Sequence, residues 1–274
     1  MSTDRQFADE LTRLPAQPLT AMRILRLGEG ADTSVGELGR IVEADPVLSA
    51  RVIRLANAPY YGFSGRISSA SRAVVLLGFD TVRALAVGAS VSMMDSEANL
   101  GPNGLWTHNV ATAAASAVVA RRLGVSPQDA FSVGLLKDLG VALLHKRGGD
   151  DYVGILRTSG RSADELNRAE TQAYDVTHAA AGAMALQAWG FPQAFVHAVA
   201  SHHQPLDRVV GTLARIVHAG QALALTAYPW DLHPPGHEPA EILQKLGLSP
   251  GLRSTLLREV EAEVDHVVQF LAVA

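Results

Sequence analysis

Helix-start and helix-stop signals recur along this chain at helix-length intervals, and strand alternation is nearly absent between them. Ser34 with Glu37 forms a capping-box pattern ahead of residues 35–43. Asp45-Pro46 supplies an N-cap and then a proline at the first helical position, where the missing N–H costs nothing. Leu48, Val52, Leu55 and Ala56 then share one stripe at helical spacing, and that helix should stop near Asn57-Ala58-Pro59. Ser68 or Ser69 opens the next helix, which Gly78 closes as a left-handed cap, and Asp80 caps the one after it. Ser126-Pro127 with Asp129 repeats the cap, proline and acid pattern and predicts one helix through about His145. Ser162 with Glu165 caps another, and Gly190 with Pro192 ends a helix that holds His178. Pro205 stops the next, and RVVGTLARIVHAGQALALTA follows. The alternation in VIRLAN and GILRT is too short to compete, so about twelve helices make an all-α protein.

Composition narrows the class. A chain of 274 residues buries enough surface to need no covalent staples. The absence of cysteine excludes disulfides, thiolate zinc sites, iron–sulfur clusters and thiol nucleophiles. A net charge of −4 provides no global basic field, so no nucleic-acid partner is expected. The longest uncharged apolar stretch, Val110 to Ala120, is about half of what a membrane span requires. The first residues also lack the apolar block of a secretion signal, which makes a cytoplasmic protein the expectation. The stretch SEANLGPNG is loop-like and suggests a subdomain boundary near residues 96–104.

The polar residues that could carry chemistry are His108, Asp138, His178, His202 and His203, spread over separate helices or helix ends. Imidazoles and a carboxylate suit zinc, iron, manganese or nickel, provided the helices converge. No two of them form a compact ligand motif, and hydrogen-bonded histidines at helix ends are the plainer reading. Adjacent His202 and His203 diverge by about 100° on a regular helix, so they share one centre only at a distorted terminus or a two-metal site. Asp138 lies between leucines in SVGLLKDLGVALLHK and requires a partner if buried. On a straight helix that partner is not Lys137, because consecutive side chains diverge.

The stretch IVEADPVLSARVIRLANAPYYGFSGRISSASRAVVLLGFDTVRALAV resembles the opening of the HDOD family, HD-related output domains of bacterial signalling proteins. Asp45-Pro46, Leu48, Ala56-Asn57, Tyr61-Gly62, Ala73, Leu77-Gly78 and Arg83-Ala84-Leu85 carry the likeness. It continues through LWTHNVATA, GLLKDLG, THAAAGAMALQAW and HHQP, over roughly residues 11–220. The resemblance implies an HD-like bundle. The expected organisation is a tail over 1–10, an N-terminal helical subdomain over 11–96, an HD-like subdomain over 104–226 and C-terminal helices over 227–274. Asp45, Asn57 and Gly62 read as structural, whereas the aromatic run Tyr60, Tyr61, Phe63 suits either a partner surface or internal packing.

Related HD phosphohydrolases bind divalent metals through a histidine, a His-Asp doublet and a later aspartate, and two-metal members add three histidines. By this resemblance His108 is the first histidine, and His178, His202 and His203 are the additional ones. The doublet becomes Lys137-Asp138, and the later aspartate aligns with Gln221. An ammonium cannot coordinate a cation and an amide brings no charge, so metal-activated hydrolysis is disfavoured. No cofactor is required on this reading. The retained residues either hydrogen-bond one another or hold a single divalent transition metal. The implied function is a non-catalytic regulatory module acting on a signalling protein partner. With no room for a fused domain, its input would come from a separate partner or a small ligand. The alternatives are a phosphohydrolase with atypical ligands and a nucleotide sensor in which Lys137 meets a phosphate.

Overall fold

The computed structural model describes residues 19–27, 35–58, 66–98, 104–159, 162–230 and 239–271, and every regular element among them is helical. The N-terminal part comprises α1 (Leu19–Leu27), α2 (Val35–Glu43), α3 (Pro46–Ala56), α4 (Ala70–Leu77) and α5 (Phe79–Ala98). Next come α6 (Leu105–Arg122), α7 (Pro127–Leu136), α8 (Leu139–Gly148), α9 (Asp150–Ser159) and α10 (Ala163–Tyr174). The rest is α11 (His178–Ala188), α12 (Gln193–Ala200), α13 (Thr212–Ala227), α14 (Pro239–Lys245), a short 3₁₀ turn and α15 (Arg253–Leu271).

The caps form as their residue types dictate except at Asp80, which lies inside the first turn of α5 and pairs with Arg83 instead of capping. Asp45 accepts from the backbone N–H groups of Val47 and Leu48 at 3.1 and 3.0 Å, with Pro46 at the first helical position. Ser69, Ser126, Ser162 and Thr177 each accept from the backbone N–H three residues on. Gly78 closes α4 at φ 80°, a conformation that needs glycine. Asn57 is structural: its side chain donates to the carbonyls of Ile53 and Ile67 and accepts from the Ile67 N–H. The loop expected over 96–104 starts later, because α5 runs on through Ala98. The run Tyr60, Tyr61, Phe63, together with Ser34 and Gly62, lies outside the described residues.

The organising element is α6, which is buried continuously from His108 to Ala120. Its alanines and Ser116 let neighbours approach to backbone distance. A Cβ on Gly134 of α7 would stand 2.7 Å from Ala113 Cα, and one on Gly220 of α13 would land on Ser116. Helices α7, α13 and α15 surround α6 and join a single apolar core with the N-terminal helices. Arg83 of α5 ties the N-terminal helices to the rest. It is 2% exposed, donates to the carbonyls of Trp189 and Gly190 at the end of α11, and lies 4.0 Å over the Phe191 ring.

One expected helix is two. The segment that begins at Pro127 breaks at Lys137-Asp138: α7 ends at Leu136, α8 starts at Leu139, and Asp138 sits at φ −99°, ψ 20°. This break and the end of α12 shape everything that follows.

Candidate functional site

Because Asp138 stands in a helix break, its carboxylate is released from either helix axis and makes no capping bond. Gly140, on the first turn of α8, brings that break against α11, since a Cβ there would land on the carbonyl of His178. His178 is the first residue of α11 and is 1% exposed. His202 and His203 lie in the turn just past α12, and Ser201 caps that helix. The irregular terminus defeats the divergence expected of neighbours on a helix, so their ring centroids are 4.1 Å apart.

The donor atoms converge. Asp138 Oδ1 is 3.2 Å from His202 Nε2 and 4.0 Å from His178 Nε2. His178 Nε2 is 3.2 Å from His202 Nε2 and 2.9 Å from His203 Nε2. One donor atom from each of Asp138, His178, His202 and His203 lies within 4.8 Å of all the others. His108 stands on the other side of the carboxylate, with Nε2 3.6 Å from Asp138 Oδ2 and its ring 5.2 Å from Trp230. It therefore does not join the four. Gln221 is 6% exposed, and its Oε1 makes no hydrogen bond.

Lys137 corrects the sequence-based expectation. Its ammonium donates to Asp138 Oδ2, although the two are adjacent in sequence. The prohibition holds for a straight helix; here Lys137 keeps helical dihedrals, but Asp138, at φ −99° and ψ 20°, does not. Lys137 is fully buried. Burial lowers its pKa, and the charge and hydrogen bond of Asp138 pull it back up. Burial likewise lowers the pKa of His202 against the opposing pull of Asp138, which favours a neutral ring.

Two site residues escape a reading of the sequence. Glu170 of α10, 0% exposed, places both carboxylate oxygens 2.8 Å from His178 Nδ1 and accepts from the His178 backbone N–H at 2.8 Å. Tyr152 of α9 donates to the same carboxylate at 2.7 Å. Burial pushes the Glu170 carboxyl up, but His178 and Tyr152 outweigh it and hold the group below its ordinary value, so it is ionised. The available signal was an acid at the middle of the buried stripe Leu166, Glu170, Tyr174.

A family model of the HDOD domain matches residues 14–205. The chain belongs to the HDOD family. Solved structures agree with this HDOD assignment. A presumed phosphohydrolase of Shewanella amazonensis shares the fold at 24% identity, covering 98% of both chains with a TM-score of 0.69. An HDOD domain protein of Geobacter sulfurreducens is 25% identical, over 96% of this chain and 97% of that one, with a TM-score of 0.62. A presumed signal-transduction protein of Marinobacter aquaeolei is 25% identical over 96% of this chain and 60% of that longer one, with a TM-score of 0.68. No protein of curated function matches the sequence. Among the described residues of this HDOD chain, no helix is long and apolar enough to cross a membrane.

Proposed function

We propose that this HDOD chain is a regulatory module that does not hydrolyse phosphoesters and acts by contact with a signalling protein partner. The buried Lys137–Asp138 pair carries the reading. An aspartate that bridges two ions must offer one oxygen to each, and here Oδ2 accepts from an ammonium. Gln221 adds no charge that a second ion would need. The residues present therefore do not fit a two-metal hydrolytic centre. Asp138, His178 and His202 are 1–2% exposed, which leaves a phosphoester no open approach to them. Lys137, at 0% exposure, offers no surface to a nucleotide phosphate either. The likeness to the Marinobacter aquaeolei protein supports a role in signal transduction.

A single divalent transition metal is a second reading, favoured by the four converging donors. Three imidazoles and the remaining carboxylate oxygen, Oδ1, fit one ion of the zinc, nickel or iron type. Bound there, such an ion would supply a cross-link between α8, α11 and the turn after α12.

The test of the regulatory reading is an assay of the full chain against cyclic nucleotides, cyclic dinucleotides and a chromogenic phosphodiester, with Mn, Fe, Ni or Zn added. No turnover above background is expected. Turnover that His178→Ala and Asp138→Ala both abolish would reject the proposal.

A further inference from the structure

The cluster turns the Nε2 atoms of His178, His202 and His203 and Oδ1 of Asp138 toward one another, with His203 Nε2 2.9 Å from His178 Nε2. Glu170 places both carboxylate oxygens 2.8 Å from His178 Nδ1, so that nitrogen is the donor, and a ring protonated there alone turns its Nε2 lone pair toward the cluster. His202 Nδ1 faces the carbonyl of Val199 at 2.6 Å and must also donate, which leaves its Nε2 with a lone pair. Those two nitrogens face each other at 3.2 Å, and Asp138 Oδ1, a third acceptor, stands 3.2 Å from His202 Nε2. Acceptors at these separations repel unless a cation or an additional proton lies among them.

We infer that Glu170, steadied by Tyr152, is a positioning residue that locks His178 in its Nδ1-protonated form and so turns the cluster into a site for one divalent transition metal. The inference rests on the one-metal reading above. Imidazoles that bind metal through one nitrogen are held by a carboxylate or a backbone carbonyl on the other. His178 has the first of these and His202 the second. Glu170 also binds the His178 backbone N–H, so it fixes the position of the ring as well as its proton. Lys137 grips only Oδ2, and Oδ1 remains on the histidine side.

Cobalt(II) is the probe, added to the full-length chain and followed through its visible bands and by competition with a chromophoric chelator. One ion per wild-type chain is expected. Glu170→Gln should weaken binding about 10–100-fold and shift the bands, and Tyr152→Phe should act in the same direction with a smaller effect. Equal affinity and an identical spectrum in Glu170→Gln would overturn the role of Glu170 while leaving the one-metal reading intact. No cobalt or zinc on the wild-type chain would overturn both. Should Glu170→Gln not fold, nitrogen-15 shifts of the metal-free wild type decide the matter. The expected result is a proton on His178 Nδ1, and a proton on Nε2 instead would refute the inference.

Discussion

Lys137 and Asp138 are consecutive residues that form a fully buried ion pair, because the backbone leaves the helix at that step. The pair fills, with a covalently tethered ammonium, a position next to the carboxylate that a mobile cation would otherwise contest. Removing one partner of such a pair leaves an uncompensated buried charge. Lys137→Met should therefore cost about 3 kcal/mol of unfolding free energy. Urea titration with an unchanged denaturant slope would show it; a cost within about 0.5 kcal/mol would mean that Asp138 is satisfied without the lysine.

Gly140 sets the distance between α8 and α11. Its replacement by alanine drives a methyl group into the His178 carbonyl, a backbone atom that cannot rotate away. Gly140→Ala should destabilise by about 2 kcal/mol or more and shift the His178 ring resonances. Gly154, within α9 and with nothing near its absent Cβ, is the control. Gly154→Ala should stabilise by about 0.5–1 kcal/mol, as read from the same urea curves.

Arg83 anchors the far end of α11. Arg83→Lys keeps the charge but loses the planar donors that reach Trp189 and Gly190 and the stacking on Phe191. The expected loss is about 2 kcal/mol, with Arg83→Ala at least as costly. Thermal unfolding of the two variants checks this, and a lysine variant as stable as wild type would contradict it.

Glu263 of α15 makes stability depend on pH. It is 7% exposed, its Oε1 has no hydrogen bond, and burial raises its pKa from 4.5 to about 7 while Arg121 pulls the other way. Between those values the folded chain holds a proton that the unfolded chain releases, so stability falls as pH rises. The contribution is present in full below 4.5 and is lost by pH above 7, with a total of about 3 kcal/mol. Glu263→Gln should flatten the pH 5–8 profile of the unfolding midpoint and exceed wild type at pH 8. A variant that kept the wild-type slope would place the titration elsewhere.

Local physics fixed the helices. Asp45-Pro46, Ser69, Ser126-Pro127 and Ser162 start them and Gly78 ends one, because a cap is a contact between residues a few positions apart. The sequence motifs also single out His108, Asp138, His178, His202 and His203 as candidates. Tertiary packing decided which of them meet. It admitted His203 to the cluster at a frayed helix end, set His108 apart on the far oxygen of Asp138, and broke a helix so that Lys137 could turn onto its neighbour. It also brought Glu170 and Tyr152 behind His178. Their roles arise only when α9, α10 and α11 pack together, since the proton they place is fixed by distances between helices that no spacing along the chain encodes.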